Sequence, residues 1–89
     1  MTNQSTALLI REFFKLNETG DIADVYDYVI TMSRKPVKRS TISRYLRKAR
    51  NLGLIVVVDR IPINQNVKKN IYAINENVKH TDRNWSFVM

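Results

Sequence analysis

Eight of the fifteen basic residues of this chain fall within the seventeen positions from 34 to 50. No acidic residue occurs between Asp27 and Asp59, so nothing nearby in the sequence neutralises them. Guanidinium and ammonium groups bind phosphate oxygens, and Arg can also donate a pair of hydrogen bonds to O6 and N7 of guanine. This concentration of positive charge therefore predicts that the segment binds a polyanion. The basic residues are Arg34, Lys35, Lys38, Arg39, Arg44, Arg47, Lys48 and Arg50.

The length and composition of the chain exclude several classes of protein. Its 89 residues suffice for one domain with a modest core. The formal net charge of +7 favours nucleic acid or another anionic partner. The absence of Cys excludes a disulfide framework and a thiolate metal site, and no segment has the roughly 18 consecutive apolar residues of a membrane span. We therefore expect a cytoplasmic protein without membrane association.

Periodic apolar residues predict two helices in the first part of the chain. Apolar side chains recur at three- and four-residue spacing from Thr6 to Leu16, which predicts the first helix. The segment from Asp21 to about Met32 shows the same pattern, with acidic residues near its N-terminal end, where the helix dipole favours them. Pro36 disfavours helical geometry at the residue before it, so this second helix should end near Ser33.

A third, basic helix is predicted from the signals at its two ends. Ser40 or Thr41 could accept a hydrogen bond from the first free backbone N–H groups, and Gly53 could adopt the left-handed conformation just past the last turn. The charged residues then lie on one face of the helix and the apolar residues on the other. The predicted buried stripe consists of Ile42, Leu46, Ala49 and Leu52.

The second half of the chain predicts a β-hairpin and a tail. Residues 54–59 and 70–74 are rich in β-branched and aromatic residues, which favours two strands. Residues 60–69 between them contain asparagines, a proline and terminal lysines, which indicates an exposed hairpin tip. In the tail, Trp85 and Phe87 alternate with other residues. They either pack on the core of their own subunit or form a strand or hook that joins two subunits.

The order of these elements resembles the winged helix-turn-helix DNA-binding domain family. The similarity covers roughly residues 5–75 and is most specific where STISRYLRK, residues 40–48, leads into NLGLI, residues 51–55. It implies an α+β fold of three helices followed by a two-stranded hairpin wing, with residues 1–75 as the domain and residues 76–89 as a tail for packing or dimerisation. It also implies a small stand-alone transcription regulator, of the kind encoded by phages, archaeal viruses and plasmids, that binds specific sequences of double-stranded DNA.

The resemblance assigns roles to individual residues. Residues 40–52 would form the recognition helix in the major groove, and residues 60–69 would form the wing on the flanking backbone. Residues near the N-terminus of an inserted helix reach bases most easily, so the predicted base contacts are Thr41, Ser43, Arg44 and Arg47. The predicted contacts to the DNA backbone are Lys38, Arg39, Ser40, Lys48, Arg50, Arg60, Lys68 and Lys69.

A homodimer is expected, because DNA-binding domains of this size commonly act as two-fold dimers on palindromic sites. The candidate interface consists of Phe13, Phe14, Trp85 and Phe87. The adjacent Phe13 and Phe14 are included because one helical stripe is not expected to bury both rings fully.

A second function from a different class is also compatible with the sequence. A winged-helix adaptor in a replication or host-takeover complex would use its basic face against an acidic protein, without sequence-specific DNA binding. The sequence lacks a nucleophile with a base, a glycine-rich phosphate loop and a Cys/His cluster, so we expect neither an enzyme nor a cofactor, and no small-molecule ligand is evident. Carboxylates at Asp21, Asp24 and Asp27 are more typical of a solvated helix face than of a metal site.

Overall fold

The computed structural model describes residues 5–89. Within that range, three helices precede a two-stranded antiparallel hairpin, and a short fourth helix follows it. The predicted α+β class and the order of three helices and a hairpin are confirmed. The elements are α1 (Thr6–Leu16), α2 (Ile22–Met32), α3 (Arg39–Asn51), β1 (Ile55–Pro62), β2 (Lys68–Ile74) and α4 (Asp82–Ser86).

A reciprocal capping box starts α2. The Asp21 carboxylate accepts a hydrogen bond from the backbone N–H of Asp24 at 2.9 Å, and the Asp24 carboxylate accepts one from the N–H of Asp21 at 3.1 Å. Both carboxylates thus satisfy donors that the helix itself leaves free. The helix ends at Met32 with Ser33 as its C-cap, in agreement with the prediction from Pro36.

The helix α3 begins earlier than predicted. Its first residue is Arg39, and no side chain caps it. The N–H of Thr41 already donates to the carbonyl of Lys38 at 3.0 Å, so the backbone is helical at Ser40. The predicted capping role of Ser40 or Thr41 is therefore wrong, and both residues lie inside the first turn.

A Schellman motif ends α3, as the glycine predicts. Gly53 has a φ of +80°, and its N–H donates to the carbonyl of Arg50 at 3.0 Å. The next N–H, of Leu54, donates to the carbonyl of Ala49 at 2.9 Å. The left-handed residue turns the chain into β1 and buries Leu54. Leu52, which the pattern placed in the buried stripe, is 49% exposed because the helix ends before it.

The two strands of the hairpin pair from Ile55 with Ile74 to Pro62 with Lys68, with a bulge between Val57 and Asp59. The strands therefore extend further than the sequence suggests. The connection is residues 63–67, and the predicted tip of residues 60–69 is too long. The basic residues at positions 60, 68 and 69 consequently lie in paired strands rather than in a loop.

The backbone of Gly20, in the connection before α2, is hydrogen-bonded to the hairpin. Its N–H donates to the carbonyl of Tyr72 at 3.0 Å, and the N–H of Tyr72 donates back to its carbonyl at 2.8 Å. A Cβ at this position would lie 2.5 Å from ring atoms of Phe13. Only glycine fits at this point, and the exchange of hydrogen bonds holds the hairpin against the helices.

The core contains residues from every described helix and from the start of β1. The rings of Phe13 and Phe14 are both buried, with centroids 5.0 Å apart in an edge-to-face arrangement. The expectation that one helix could not bury both is therefore wrong. The buried apolar residues are Ala7, Leu9, Ile10, Phe13, Phe14, Val25, Val29, Ile42, Leu46, Ala49, Leu54, Ile55, Trp85 and Val88.

The tail forms a short helix, α4, rather than a strand or hook, and it packs against α1. Trp85 is fully buried, and its Nε1–H donates to Nδ1 of His80 at 3.0 Å. The Arg11 guanidinium donates to the carbonyl of His80 at 3.2 Å and to Oδ1 of Asp82 at 2.6 Å. The tail therefore completes the core of its own chain.

Candidate nucleic-acid interface

The helix α3 is amphipathic, with one apolar face and one basic face. Ile42, Leu46 and Ala49 are fully buried against the rest of the domain. Thr41, predicted to contact bases, is only partly accessible because it lies at the margin between the two faces. The exposed residues of α3 are Arg39, Ser40, Ser43, Arg44, Arg47, Lys48, Arg50 and Asn51.

The three remaining predicted base contacts lie on the exposed side of α3. Ser43 and Arg47 are four residues apart, and Arg44 and Arg47 are three apart, so these side chains are neighbours on the helix surface. The guanidinium carbon of Arg44 is 5.5 Å from the ring centroid of Tyr45. Within residues 5–89, the ion pairs involve no residue of α3. The positive charge of this face is therefore available to an external anion.

A cleft of about 240 Å³ separates α3 from β2. Ser43 lies on its α3 wall, and Lys68 and Asn70 lie on its β2 wall. Residues predicted as base and backbone contacts, 25 positions apart in the sequence, thus line one concave surface. The full lining consists of Ile22, Ser43, Leu46, Lys68, Lys69, Asn70 and Tyr72.

Lys69 makes an ion pair that the sequence does not predict. Its Nζ donates to Oδ2 of Asp21 at 3.0 Å, which ties β2 to the start of α2. The ammonium is therefore already paired with a carboxylate, whereas the ion pairs within residues 5–89 do not include its exposed neighbour Lys68. No local sequence signal indicates this contact, because its two partners are 48 residues apart.

The Asp21 carboxylate is a buried anion with several donors. Its burial alone raises the pKa, but the hydrogen bonds from the Asp24 backbone and from the Lys69 ammonium, with the positive charge of Lys69, outweigh this effect. The pKa of Asp21 therefore lies below its ordinary value. A lowered pKa means that the charged carboxylate stabilises the folded state.

Asp21→Asn should lower the free energy of unfolding near pH 7 by about 0.5–1 kcal/mol, because Asn preserves the helix cap but removes the charge paired with the half-exposed Lys69. The wild-type advantage should be complete above the unfolded-state pKa of about 3.9 and disappear as the pH falls through the lower folded-state pKa. Urea unfolding of both proteins at several pH values measures this difference. An equal difference at pH 3 and pH 7 would assign it to lost hydrogen-bond geometry instead of charge.

Arg50 and Arg60 lie on a different part of the surface from the cleft. Both line a second groove, of about 430 Å³, that runs along β1 from position 53 to position 60. Among the described residues, β1 pairs with β2 alone. Four of the eight predicted backbone contacts therefore divide between two concave surfaces, with Arg50 and Arg60 on the groove along β1 and Lys68 and Lys69 on the cleft beside β2.

The candidate dimer residues also divide. Phe13, Phe14 and Trp85 are buried within the single chain, because α1 packs against α2, α4 and β2. They are not available to a second copy, and their assignment to an interface is wrong. Phe87 is 59% exposed and remains accessible.

The sequence analysis missed an apolar surface on the hairpin. Aliphatic side chains of β1 and of the connecting turn point into solvent, and Ile63 at the turn is 62% exposed. The asparagines, proline and lysines of this segment indicated an exposed tip, and its isoleucines and valines could have indicated that this exposed surface is partly apolar. These exposed residues are Val56, Val58, Ile61, Ile63 and Val67.

Three further findings concern residues 5–89 and the chain as a whole. Within the described residues, no group of three His, Cys, Asp or Glu side chains is placed to hold a metal ion. The helices of that same range are all too short or too polar to span a bilayer. Comparison of the chain with protein-family models, curated proteins and solved structures finds no match.

Proposed function

We propose that this protein is a transcription regulator that binds specific sequences of double-stranded DNA, with α3 as the recognition helix. The observation that carries the proposal is the exposed face of α3, which presents Arg and Lys side chains without an intervening acid. A solvated helix face usually alternates charges of both signs, which stabilise one another at i,i+4 spacing. A face of one sign favours a polyanionic partner.

The dimensions and chemistry of α3 suit the major groove of DNA. The groove is about 12 Å wide and accepts an α-helix. Arg44 and Arg47 can each donate a pair of hydrogen bonds to guanine, and Ser43 can donate to or accept from a base edge. Ser43 and Arg44 lie in the first half of α3, and Arg47 follows about one turn later on the same face, which favours contact with bases over contact with the backbone.

The surroundings of α3 supply contacts to the DNA backbone. Lys38 and Arg39 are exposed at its N-terminal end, and Lys48 is exposed in its last turns. Across the cleft, Lys68 projects from β2. The layout of three helices and a hairpin is compatible with a winged-helix domain, in which this hairpin is the wing. In this proposal Lys69 orients the wing through Asp21, and Lys68 contacts phosphate.

We also propose that the protein acts as a two-fold dimer on an inverted repeat. Phe87 and Met89 are 59% and 54% exposed at the C-terminal end, beside the buried Trp85 and Val88. An exposed aromatic residue next to a packed helix supplies apolar area to an interface. A regulator of this size gains affinity by occupying two half-sites that are related by the same symmetry.

Selection of random duplex DNA by the purified protein tests the function directly. We expect an enriched motif that binds at least about a hundredfold more tightly than a scrambled duplex, and an inverted repeat within it for a dimer. If five or six phosphates are neutralised per subunit, log K should fall against log salt with a slope of about −5. Fluorescence anisotropy at two or more salt concentrations measures both quantities.

A protein-binding adaptor is the second candidate, and the exposed aliphatic residues of the hairpin favour it. Such an adaptor would bind duplex DNA weakly, with a steep salt dependence and no enriched motif. Its partner would then be sought by affinity purification on the immobilised wild-type chain. Selection that enriches a motif contradicts this second function as formulated.

A further inference from the structure

The turn between the strands of the hairpin is closed by its own hydrogen bonds. The N–H groups of Ile63 and Asn64 donate to the carbonyl of Val67 at 2.9 and 3.3 Å. The side-chain oxygen of Asn64 accepts the N–H groups of Asn66 and Val67, both at 3.0 Å. These contacts hold Ile63 and Val67 at the exposed end of the hairpin, beside the amide side chains of residues 64–66.

Packing against other described residues leaves the side chain of Ile63 largely exposed to solvent. It is 62% exposed, and Val67 beside it is 48% exposed. Grouped aliphatic side chains on a surface lose contact with water when they meet a partner, and this loss favours binding. The neighbouring cations Arg60 and Lys68 indicate that this partner carries negative charge.

The position of the cleft beside α3 indicates where the turn lies on bound DNA. This inference rests on the function proposed above. With α3 in the major groove, the sugar-phosphate backbone that borders this groove lies in the cleft between Ser43 and Lys68. The hairpin continues past Lys68 to the turn of residues 63–67. Beyond a backbone that borders the major groove lies the adjacent minor groove, so the turn reaches that groove.

We propose that Ile63 intercalates between base pairs from the minor groove and bends the DNA. The minor groove is about 6 Å wide, too narrow for two strands that are themselves about 4.8 Å apart and carry side chains. Insertion of an apolar side chain from the minor groove unstacks a base step, opens that groove and bends the duplex toward the major groove. The amides of Asn64, Gln65 and Asn66 supply hydrogen-bond donors for the N3 and O2 acceptors on the groove floor.

Energy transfer between fluorophores at the two ends of a duplex of about 30 base pairs measures the bend. The duplex carries the sequence that the wild-type protein selects. Saturating wild-type protein should bend it by about 20–90° and raise the transfer efficiency. Ile63→Ala should bind the same duplex with an affinity reduced by less than about tenfold and leave it nearly straight.

Val58→Ala is the matched control, because Val58 is a similarly exposed aliphatic residue on the stem of the hairpin. It should bend DNA as the wild-type protein does. A straight duplex under bound wild-type protein, or an unchanged bend with Ile63→Ala, overturns the proposal but leaves sequence-specific binding intact. Failure to select any motif overturns the proposed function and this inference together.

Base substitution tests the groove that the turn enters. Replacing A·T pairs flanking the motif by G·C adds an amino group to the minor groove, whereas replacement by inosine·cytosine does not. We expect the G·C duplex to bind about tenfold more weakly and to bend less, and the inosine duplex to behave like the A·T duplex. Equal binding and bending of all three duplexes overturns the minor-groove assignment.

A second copy of the chain is the competing occupant of the turn. Sedimentation equilibrium of wild type and Ile63→Ala, without DNA, separates the two cases. We expect the same mass for both proteins. A loss of dimer in Ile63→Ala, with no change in the bend per bound protein, would assign the turn to an interface between subunits and overturn the proposal.

Discussion

Trp85→Ala should lower the free energy of unfolding by about 3–5 kcal/mol, the cost of removing a buried aromatic side chain. Trp85 is fully buried in the core shared by α1 and the tail. The substitution also leaves Nδ1 of His80 without its donor from the indole. A domain of this size has a total stability of roughly 5–15 kcal/mol, so the variant should be partly unfolded at 37 °C.

Phe87→Ala is the control for the loss of a ring from the tail. Phe87 lies two positions from Trp85 but is 59% exposed, so its replacement should change the stability of the single chain by no more than about 0.5 kcal/mol. Urea unfolding followed by circular dichroism at low protein concentration measures both variants. Equal, small effects of the two substitutions would contradict the packing of the tail on α1.

The contacts that anchor the tail explain why the sequence alone does not predict its role. Trp85 and Phe87 alternate in the sequence, a pattern that also suits a strand, and α4 is too short for helical periodicity to appear. The tail is also held by the Arg11 guanidinium, which donates to His80 and Asp82, 69 and 71 positions further along the chain. Such distant contacts have no local signature. For this reason the sequence alone is compatible with both explanations of the tail.

Elements with strong local signals were predicted well. The first helix has the predicted bounds because its apolar residues keep helical spacing throughout. The end of α3 follows from Gly53, since a left-handed residue after the last turn strongly favours glycine. Its start was misplaced because Ser40 and Thr41 are good capping residues that here lie within the first turn.

The candidate interface shows the same division between local and distant information. The basic face of α3 follows from periodicity alone, and Ser43, Arg44 and Arg47 are all exposed as expected. The roles of the hairpin residues depend on contacts across the fold, because both Lys68 and Lys69 line the cleft but only Lys69 is held by Asp21. The two adjacent lysines therefore have different proposed roles. Lys69 orients the hairpin, and Lys68 is a candidate phosphate contact.

The different contacts of Lys68 and Lys69 determine which lysine should be substituted to test contact with phosphate. Lys69→Ala would disturb the ion pair with Asp21 as well as any phosphate contact, so its effect on binding would be difficult to assign. Lys68→Ala removes an exposed cation and should weaken binding to all sequences alike, lowering the salt slope by about one. Arg83→Ala, on the exposed surface of α4, removes an Arg outside α3 and should leave DNA binding unchanged.

Arg44→Ala and Arg47→Ala should each cost about 1–3 kcal/mol of binding free energy for the selected sequence and much less for a scrambled duplex. The asymmetry arises because a base contact is lost only where the correct base is present. Anisotropy titration of each variant against both duplexes measures the specificity ratio directly. If Arg44→Ala and Arg47→Ala weaken both duplexes equally, the two residues contact phosphates and the assignment of base contacts fails.

Arg44→Lys separates the geometry of the contact from its charge. Lys keeps the positive charge but lacks the planar fork that donates two parallel hydrogen bonds to guanine. The variant should therefore retain the wild-type salt slope and lose most of the preference for the selected sequence. A variant that keeps this preference would show that the site needs only a positive charge, as a protein-binding surface or an unspecific DNA-binding surface would. Loss of specificity at constant salt dependence indicates a change in how the DNA sequence is read, since the number of neutralised phosphates is then unchanged.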